Sequence, residues 1–132
     1  MTKIVLLVDD ETDLVTLLKF ILGKYGMEVI TASNGREALT YLNGEIGKAV
    51  PRIPDIIVTD VMMPEMDGYT MVTRIREEDE FRAIPIIVMT AKGQTRDLFM
   101  SVSNVPAFIE KPFEPRTLKA KIDEVLKITG TN

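Results

Sequence analysis

The sequence lacks three residue types that protein chemistry often uses. Its 132 residues include no cysteine, no histidine and no tryptophan. Without cysteine there are no disulfides, thiolate nucleophiles or cysteine-ligated metals. Without histidine there is no serine–histidine triad and no histidine-ligated zinc, and the chain cannot donate a phosphoryl group from histidine. Any chemistry must therefore use carboxylates, hydroxyls and ammonium groups.

Charge and hydropathy exclude further classes of function. The net charge of −4 does not favour a nucleic-acid or anionic-membrane surface, because both need a basic footprint. The sequence has no basic run, no signal-peptide pattern and no apolar stretch near the length of a membrane span. We therefore expect one domain over residues 1–132, in the cytoplasm, with neither nucleic acid nor membrane as a partner. A native single-domain protein and an excised domain would look identical.

Short apolar runs alternate with segments of helical periodicity, which is typical of βαβ units on a parallel sheet. Strands are predicted at residues 3–8, 27–32, 55–59, 85–89 and 107–110. Helices are predicted at residues 14–25, 34–44, 69–79, 92–103 and about 114–128. Asn34, followed three residues later by Glu37, resembles a capping box at the start of the second helix. The pattern predicts a three-layer, doubly wound α/β domain of five β-α repeats.

Polar side chains stand where four of these strands end. Asp9 and Asp10 follow the first strand, Asp60 follows the third, Thr90 ends the fourth apolar run and Lys111 follows the fifth. Open α/β sheets bind ligands beyond the carboxyl ends of their strands. Clustered carboxylates need a compensating positive charge, and an oxygen-only ligand set suits Mg²⁺ or Mn²⁺. The sequence therefore predicts a cation and an anionic ligand at this edge.

Four motifs at these strand ends together resemble the receiver domain of two-component response regulators. They are Asp9-Asp10, Asp60 at the start of DVMMPEMDG, Thr90-Ala91 and Lys111-Pro112-Phe113. Each motif alone is common, but all four in order at the right strand ends form a specific signal. The resemblance runs from Lys3 to about Ile128 and implies a flavodoxin-like strand order of 2-1-3-4-5.

The resemblance implies an acceptor and a metal site. Asp60 would take a phosphoryl group from a histidine of a kinase or of a phosphotransfer protein. Asp10, Asp60 and the backbone carbonyl of Met62 would bind Mg²⁺ (or Mn²⁺) directly, and Asp9 would act mainly through a water molecule. The protein would then be a signalling domain and not an enzyme in the usual sense.

The resemblance also implies a switch. Lys111 and Thr90 would contact the phosphoryl oxygens, and Phe108 would turn inward into the space that Thr90 vacates. This movement would alter the face formed by the fourth predicted helix, the fifth strand and the last helix, where a downstream protein would bind. The Lys111-Pro112 peptide bond would be cis. Phe108 as a static core residue remains an alternative.

Two other functions compete with this interpretation. The first is a protein-interaction module that keeps the fold without being phosphorylated, against which the complete set of site residues argues. The second is a Mg²⁺-dependent phosphohydrolase similar to the haloacid dehalogenases, which place a second aspartate two residues after the nucleophile. Here that position is Met62. Asp67-Gly68 is expected to form a tight turn outside the site.

Overall fold

All five predicted strands are present and parallel in a computed structural model of the protein, which describes residues 2–44, 52–91, 99, 102 and 104–127. The strands are β1 (Ile4–Val8), β2 (Glu28–Ala32), β3 (Ile56–Asp60), β4 (Ile86–Ala91) and β5 (Ala107–Lys111). Their order in the sheet is β2-β1-β3-β4-β5, as predicted. Residues that follow β1 and β3 are therefore neighbours at one edge of the sheet.

Four of the predicted helices fall within the described residues. They are α1 (Thr12–Lys24), α2 (Gly35–Asn43), α3 (Gly68–Arg76) and α4 (Pro115–Leu126). The helix predicted at residues 92–103 lies outside the described residues except for Phe99 and Val102.

The third helix is shorter than predicted, ending at Arg76 and not at residue 79. Residues 77–80 are all acidic, and negative charge is unfavourable at the carboxyl end of a helix dipole. The chain tightens there, since the Glu77 and Glu78 N–H groups donate to carbonyls three residues back.

Helices cover both faces of the sheet. Leu18 and Leu22 of α1 and Leu118 and Ile122 of α4 are buried on one face. The other face is covered by buried residues of α2 and α3, which are Ala38, Leu42, Met71, Val72 and Ile75. The continuous apolar run of β1 has side chains in both clusters, as expected of a strand buried on both sides. The predicted three-layer architecture is confirmed.

The predicted capping of α2 is present in a modified form. The Glu37 N–H donates to Asn34 Oδ1 at 2.9 Å. The Glu37 carboxylate reaches back one residue further than a capping box requires and accepts from the Ser33 N–H at 2.8 Å. Gly44 ends the helix with a φ of 73°.

Polar side chains at the amino edge of the sheet, where the strands begin, bond to backbone groups. Asp55 Oδ2 accepts the N–H of Ile4 at 2.7 Å. The half-buried guanidinium of Arg76 donates, over 2.9–3.1 Å, to the carbonyl oxygens of Arg82, Ile84 and Asn104. These contacts join the end of α3 to the segments that precede β4 and β5.

Within the described residues, no helix has the length and apolar character needed to cross a membrane.

Candidate functional site

Three acidic side chains surround one ammonium group at the carboxyl edge of the sheet, where the strands end. Lys111 Nζ lies 2.8 Å from Asp9 Oδ2, 2.7 Å from Glu11 Oε1 and 3.5 Å from Asp60 Oδ2. The side chain of Asp9 is fully buried, those of Asp60 and Lys111 are 13% and 17% exposed, and that of Glu11 is 60% exposed. The arrangement is thus a mostly buried group of charges with one open side.

The topology of the sheet explains why these residues meet. Asp9 follows β1, and Asp60 is the last residue of the neighbouring β3. Lys111 is the last residue of β5, and its long side chain reaches across the end of β4 to both acids. The Lys111-Pro112 peptide bond that follows is cis, as predicted.

The Asp60 carboxylate is held in place by its own backbone surroundings. Its Oδ1 accepts the N–H of Val61 at 2.9 Å. Gly68, the first residue of α3, donates its N–H to the carbonyl of Val61 at 2.7 Å. A Cβ on Gly68 would lie 2.1 Å from the Asp60 carbonyl oxygen, so only glycine permits this approach of α3 to β3.

Asp67-Gly68 is therefore not the tight turn that was predicted. Asp67 is the N-cap of α3, and its side chain accepts the N–H of Thr70 at 2.7 Å. The expectation was wrong because an Asp-Gly pair also suits the start of a helix where two elements approach closely. The pair supports the site by positioning α3 against Asp60.

The described residues of the site carry more negative than positive charge. Burial, together with the nearby Asp9 carboxylate, raises the pKa of Asp60 above the usual carboxyl value, and Lys111 opposes this shift. Burial alone would lower the pKa of Lys111, but its hydrogen bonds to Asp9 and Glu11 and the charge of Asp60 raise it above the usual value. Lys111 therefore stays charged at neutral pH and compensates part of the acidic charge.

The converging carboxylates differ from the predicted set by one residue. Asp9, Glu11 and Asp60 each present an oxygen within 4.8 Å of the others, whereas Asp10 is exposed and is not a member of this group among the described residues. Sequence reasoning missed Glu11. Its position directly after the acidic pair was the available signal, but an acid at the start of a helix is also explained by the helix dipole.

Thr90 and Phe108 lie on the same face of the sheet. Val88 pairs with Phe108 and both pack in one cluster, and alternation places the buried Thr90 on the face that Val88 occupies. Phe108 is half-buried, and its ring meets that of Phe99 edge to face at a centroid distance of 6.0 Å. Met62, two residues after the end of β3 at Asp60, is 67% exposed.

The donor set fits a hard divalent cation. It consists of carboxylate oxygens close enough to share one ion, which is the chemistry that Mg²⁺ prefers. Three carboxylates against one ammonium leave an excess of two negative charges when all are ionised, and a divalent ion would balance it. A cleft of about 330 Å³, lined in part by Glu11, Lys111 and Phe113, opens beside the group.

Comparison with known proteins identifies this combination of fold and site. Residues 5–123 match the model of the response regulator receiver domain. The chain is 38% identical over 128 residues to the alkaline phosphatase synthesis transcriptional regulatory protein PhoP of Bacillus subtilis, which covers 96% of this chain and 50% of that protein. The chain thus spans about half the length of PhoP, and it covers a similar share of other relatives.

Solved structures give the same result. The chemotaxis response regulator CheY4 of Vibrio cholerae superposes with a TM-score of 0.79 at 30% identity, over 95% of this chain and 99% of that one. The signal receiver domain of a signal transduction histidine kinase from Syntrophus aciditrophicus superposes with a TM-score of 0.80 at 31% identity, over 99% of this chain and 95% of that domain.

The chain therefore belongs to the response regulator receiver family of two-component signalling. This membership confirms the resemblance drawn from the four sequence motifs. Members of the family are signalling domains and not classical enzymes.

Proposed function

We propose that this domain accepts a phosphoryl group on Asp60 from a phosphohistidine of a partner protein, in a reaction that requires Mg²⁺. The observation that carries the proposal is the ammonium of Lys111, which lies between the buried carboxylates of Asp9, directly after β1, and Asp60, the last residue of β3. Family membership supports the same assignment.

The chain's own residues would position the reacting groups. The Val61 N–H holds one oxygen of the Asp60 carboxylate and so fixes the direction of the other. In the transfer, an Asp60 oxygen forms a bond to phosphorus as the bond from phosphorus to the histidine nitrogen breaks. The other ring nitrogen takes a proton from solvent, so that histidine leaves as neutral imidazole. Lys111, and the hydroxyl of Thr90, would stabilise charge on the phosphoryl oxygens.

Asp9, Asp10, Asp60 and the backbone carbonyl of Met62 remain the proposed ligands for Mg²⁺, with Mn²⁺ as a substitute, and Glu11 lies within reach of the same group. When bound, the ion supplies neutralisation of negative charge on the acceptor and on the phosphoryl oxygens. Lys111 already balances part of that negative charge.

Phosphorylation would then switch a protein-binding surface. A new phosphoryl group adds negative charge and acceptor oxygens at the end of β3, and Thr90 lies near the end of the adjacent β4. Since Thr90 shares a face of the sheet with Phe108, a shift of one can be followed by the other. The surface proposed for the downstream protein comprises β5, α4 and the predicted helix at residues 92–103, of which only Phe99 and Val102 are described.

The partners and location follow from this proposal. A histidine kinase or a histidine phosphotransfer protein would be the donor, in the cytoplasm, and residues 1–132 would act as one receiver domain. The expectation that nucleic acid is not a partner concerns only these residues and their net charge of −4. PhoP, twice as long, is by its name a transcriptional regulator, so that expectation does not extend to a longer protein of that kind.

The proposal is tested by measuring intact mass after incubation with Mg²⁺ and a small phosphodonor such as acetyl phosphate. We expect the wild-type protein to gain one phosphoryl group, and we expect a chelator or the change Asp60→Asn to prevent the gain. Asp55→Asn, which alters a carboxylate at the opposite edge of the sheet, is the matched control and should still be phosphorylated. Absence of any gain in the folded wild type would favour the phosphorylation-independent interaction module.

A further inference from the structure

Glu11 makes contacts that its place in the sequence does not require. It is the N-cap residue of α1, yet its side chain makes no capping hydrogen bond to the first turn of that helix, all of which is described. Instead its carboxylate accepts a hydrogen bond of 2.7 Å from the Nζ of Lys111, which is 100 positions away in the chain. An ion pair between two exposed side chains contributes little to stability. The contact of Glu11 differs from such a pair because Lys111 is only 17% exposed and is also bonded to the buried Asp9.

The backbone of the same residue holds a second member of the site. The Glu11 N–H donates to Asp9 Oδ1 at 2.8 Å, while Lys111 Nζ bonds to Asp9 Oδ2 at 2.8 Å. Glu11, Asp9 and Lys111 therefore form a closed set of hydrogen bonds. Asp60 stands at its margin, since its Oδ2 is 3.5 Å from the ammonium, beyond the usual hydrogen-bond distance.

We propose that Glu11 is a positioning residue that holds the Lys111 ammonium away from Asp60 before phosphorylation and so slows phosphoryl transfer. This inference rests on the proposed function. Glu11 and an incoming phosphoryl group both attract the same ammonium, so they compete for its position. Asp9 and Glu11 take two of the three N–H donors of Lys111 and hold Nζ 3.5 Å from Asp60 Oδ2, so a move of the ammonium towards a phosphoryl oxygen at Asp60 weakens one of these contacts.

The two contacts that Lys111 makes are unequal in this competition. Asp9 is fully buried and would be left without its charged partner, whereas Glu11 is 60% exposed and can return to water. Glu11 is therefore the partner that Lys111 releases. It lines the cleft next to Lys111, through which a donor can approach the ammonium.

Three variants separate this contact from a simple effect of charge. Glu11→Gln removes the charge of the competitor. Glu11→Asp keeps the charge but shortens the side chain by one methylene, and an aspartate at an N-cap favours bonding to its own helix. Asp13→Asn removes an exposed acid from the first turn of the same helix and is the control.

The first readout is the rate of phosphorylation by acetyl phosphate at saturating Mg²⁺, followed by mass as a function of donor concentration. We expect the maximal rate to rise roughly fivefold in both Glu11→Gln and Glu11→Asp, because each weakens one charge-assisted bond to the ammonium. Asp13→Asn should change only the donor concentration that gives half of the maximal rate.

The second readout needs neither metal nor phosphoryl group. The ¹⁵N signal of the Lys111 ammonium, measured by NMR in the presence of chelator, should shift in both Glu11 variants and stay in place in Asp13→Asn. A wild type that is phosphorylated while the Glu11 variants match its maximal rate would overturn the inference and leave the proposed function intact. An unmoved Lys111 signal would overturn it as well. A folded wild type that takes no phosphoryl group contradicts the proposed function itself.

Discussion

The two edges of the sheet use polar side chains in opposite ways. At the amino edge, Asp55 and Arg76 bond to backbone N–H and carbonyl groups, so each charged side chain completes the hydrogen bonding of the chain around it. At the carboxyl edge, Asp9, Glu11 and Asp60 point at one another and share the ammonium of Lys111. The amino edge satisfies backbone groups, and the carboxyl edge concentrates negative charge.

The difference shows how a site can be distinguished from a structural contact. A charged side chain bonded to backbone groups lowers the free energy of the folded state without needing a ligand. Mutually repelling carboxylates raise that free energy unless cations offset them. The proposed divalent ion belongs at the edge where the described residues leave negative charge uncompensated, and it would offset the charge of a phosphoryl group there.

The largest expected effect is from removing the ammonium. Lys111→Met should lower the free energy of unfolding of the metal-free protein by about 4 kcal/mol, because the fully buried Asp9 loses its cationic partner. Lys119→Met is the control: Lys119 is similarly exposed at 19%, but it pairs with one acid of its own helix, Asp123, which is 25% exposed, and lies over the Tyr25 ring. We expect the control to lose about 1 kcal/mol in denaturant titrations. Equal losses would contradict a special role for the carboxyl edge.

A second change tests the packing that supports Asp60. Gly68→Ala places a Cβ 2.1 Å from the Asp60 carbonyl oxygen and should cost about 3 kcal/mol of stability, because α3 must move away from β3. Gly23→Ala has open space among the described residues and lies in α1, so it should be neutral or slightly stabilising. Thermal unfolding of the two variants measures the difference. Similar midpoints would show that the approach is not tight.

The amino edge should respond more weakly. Arg76→Lys replaces a guanidinium that spans several carbonyls by a single ammonium, and we expect a loss of about 2 kcal/mol in denaturant titrations. Phosphorylation of Asp60 should be unaffected. Arg74→Lys, an exposed position in the same last turn of α3, should change stability by less than about 0.5 kcal/mol. A loss of phosphorylation in folded Arg76→Lys would show that the two edges are coupled.

The smallest effect concerns Asp10, whose side chain is exposed. Without metal, Asp10→Asn should alter stability by less than about 0.5 kcal/mol. With Mg²⁺ at ten times its dissociation constant, the wild type should gain about 1.4 kcal/mol and the variant far less, if Asp10 is a ligand. Thermal shifts at graded Mg²⁺ concentrations measure both quantities. An equal gain in wild type and variant would remove Asp10 from the ligand set and favour Glu11 in its place.

Most of the fold follows from local patterns in the sequence. Continuous apolar runs such as that of β1 predicted buried parallel strands, and helical spacing predicted α1 and α4 to within a few residues. The end of α3 was misplaced because apolar spacing does not register the acidic residues 77–80. Pattern reasoning detects which side chains face the core more readily than where a helix stops.

The site was predictable as far as strand ends determine it. Asp9, Asp60 and Lys111 meet because their strands end together, which the sheet topology already implied. The convergence of Glu11 on Asp9 and Asp60 depends on side-chain direction just before α1, and the contacts of Arg76 depend on segments far apart in sequence. Neither relation has a local signature in the sequence.

The central claim is that Asp60, and no other acid of the carboxyl edge, carries the phosphoryl group. The most direct measurement treats the phosphorylated protein with borohydride, which reduces an acyl phosphate, and locates the altered residue by fragment mass spectrometry. We predict modification at Asp60 alone, absent when Mg²⁺ is chelated during phosphorylation. Modification at Asp9, Asp10 or Glu11, or at none of these acids in a folded protein, would contradict the account.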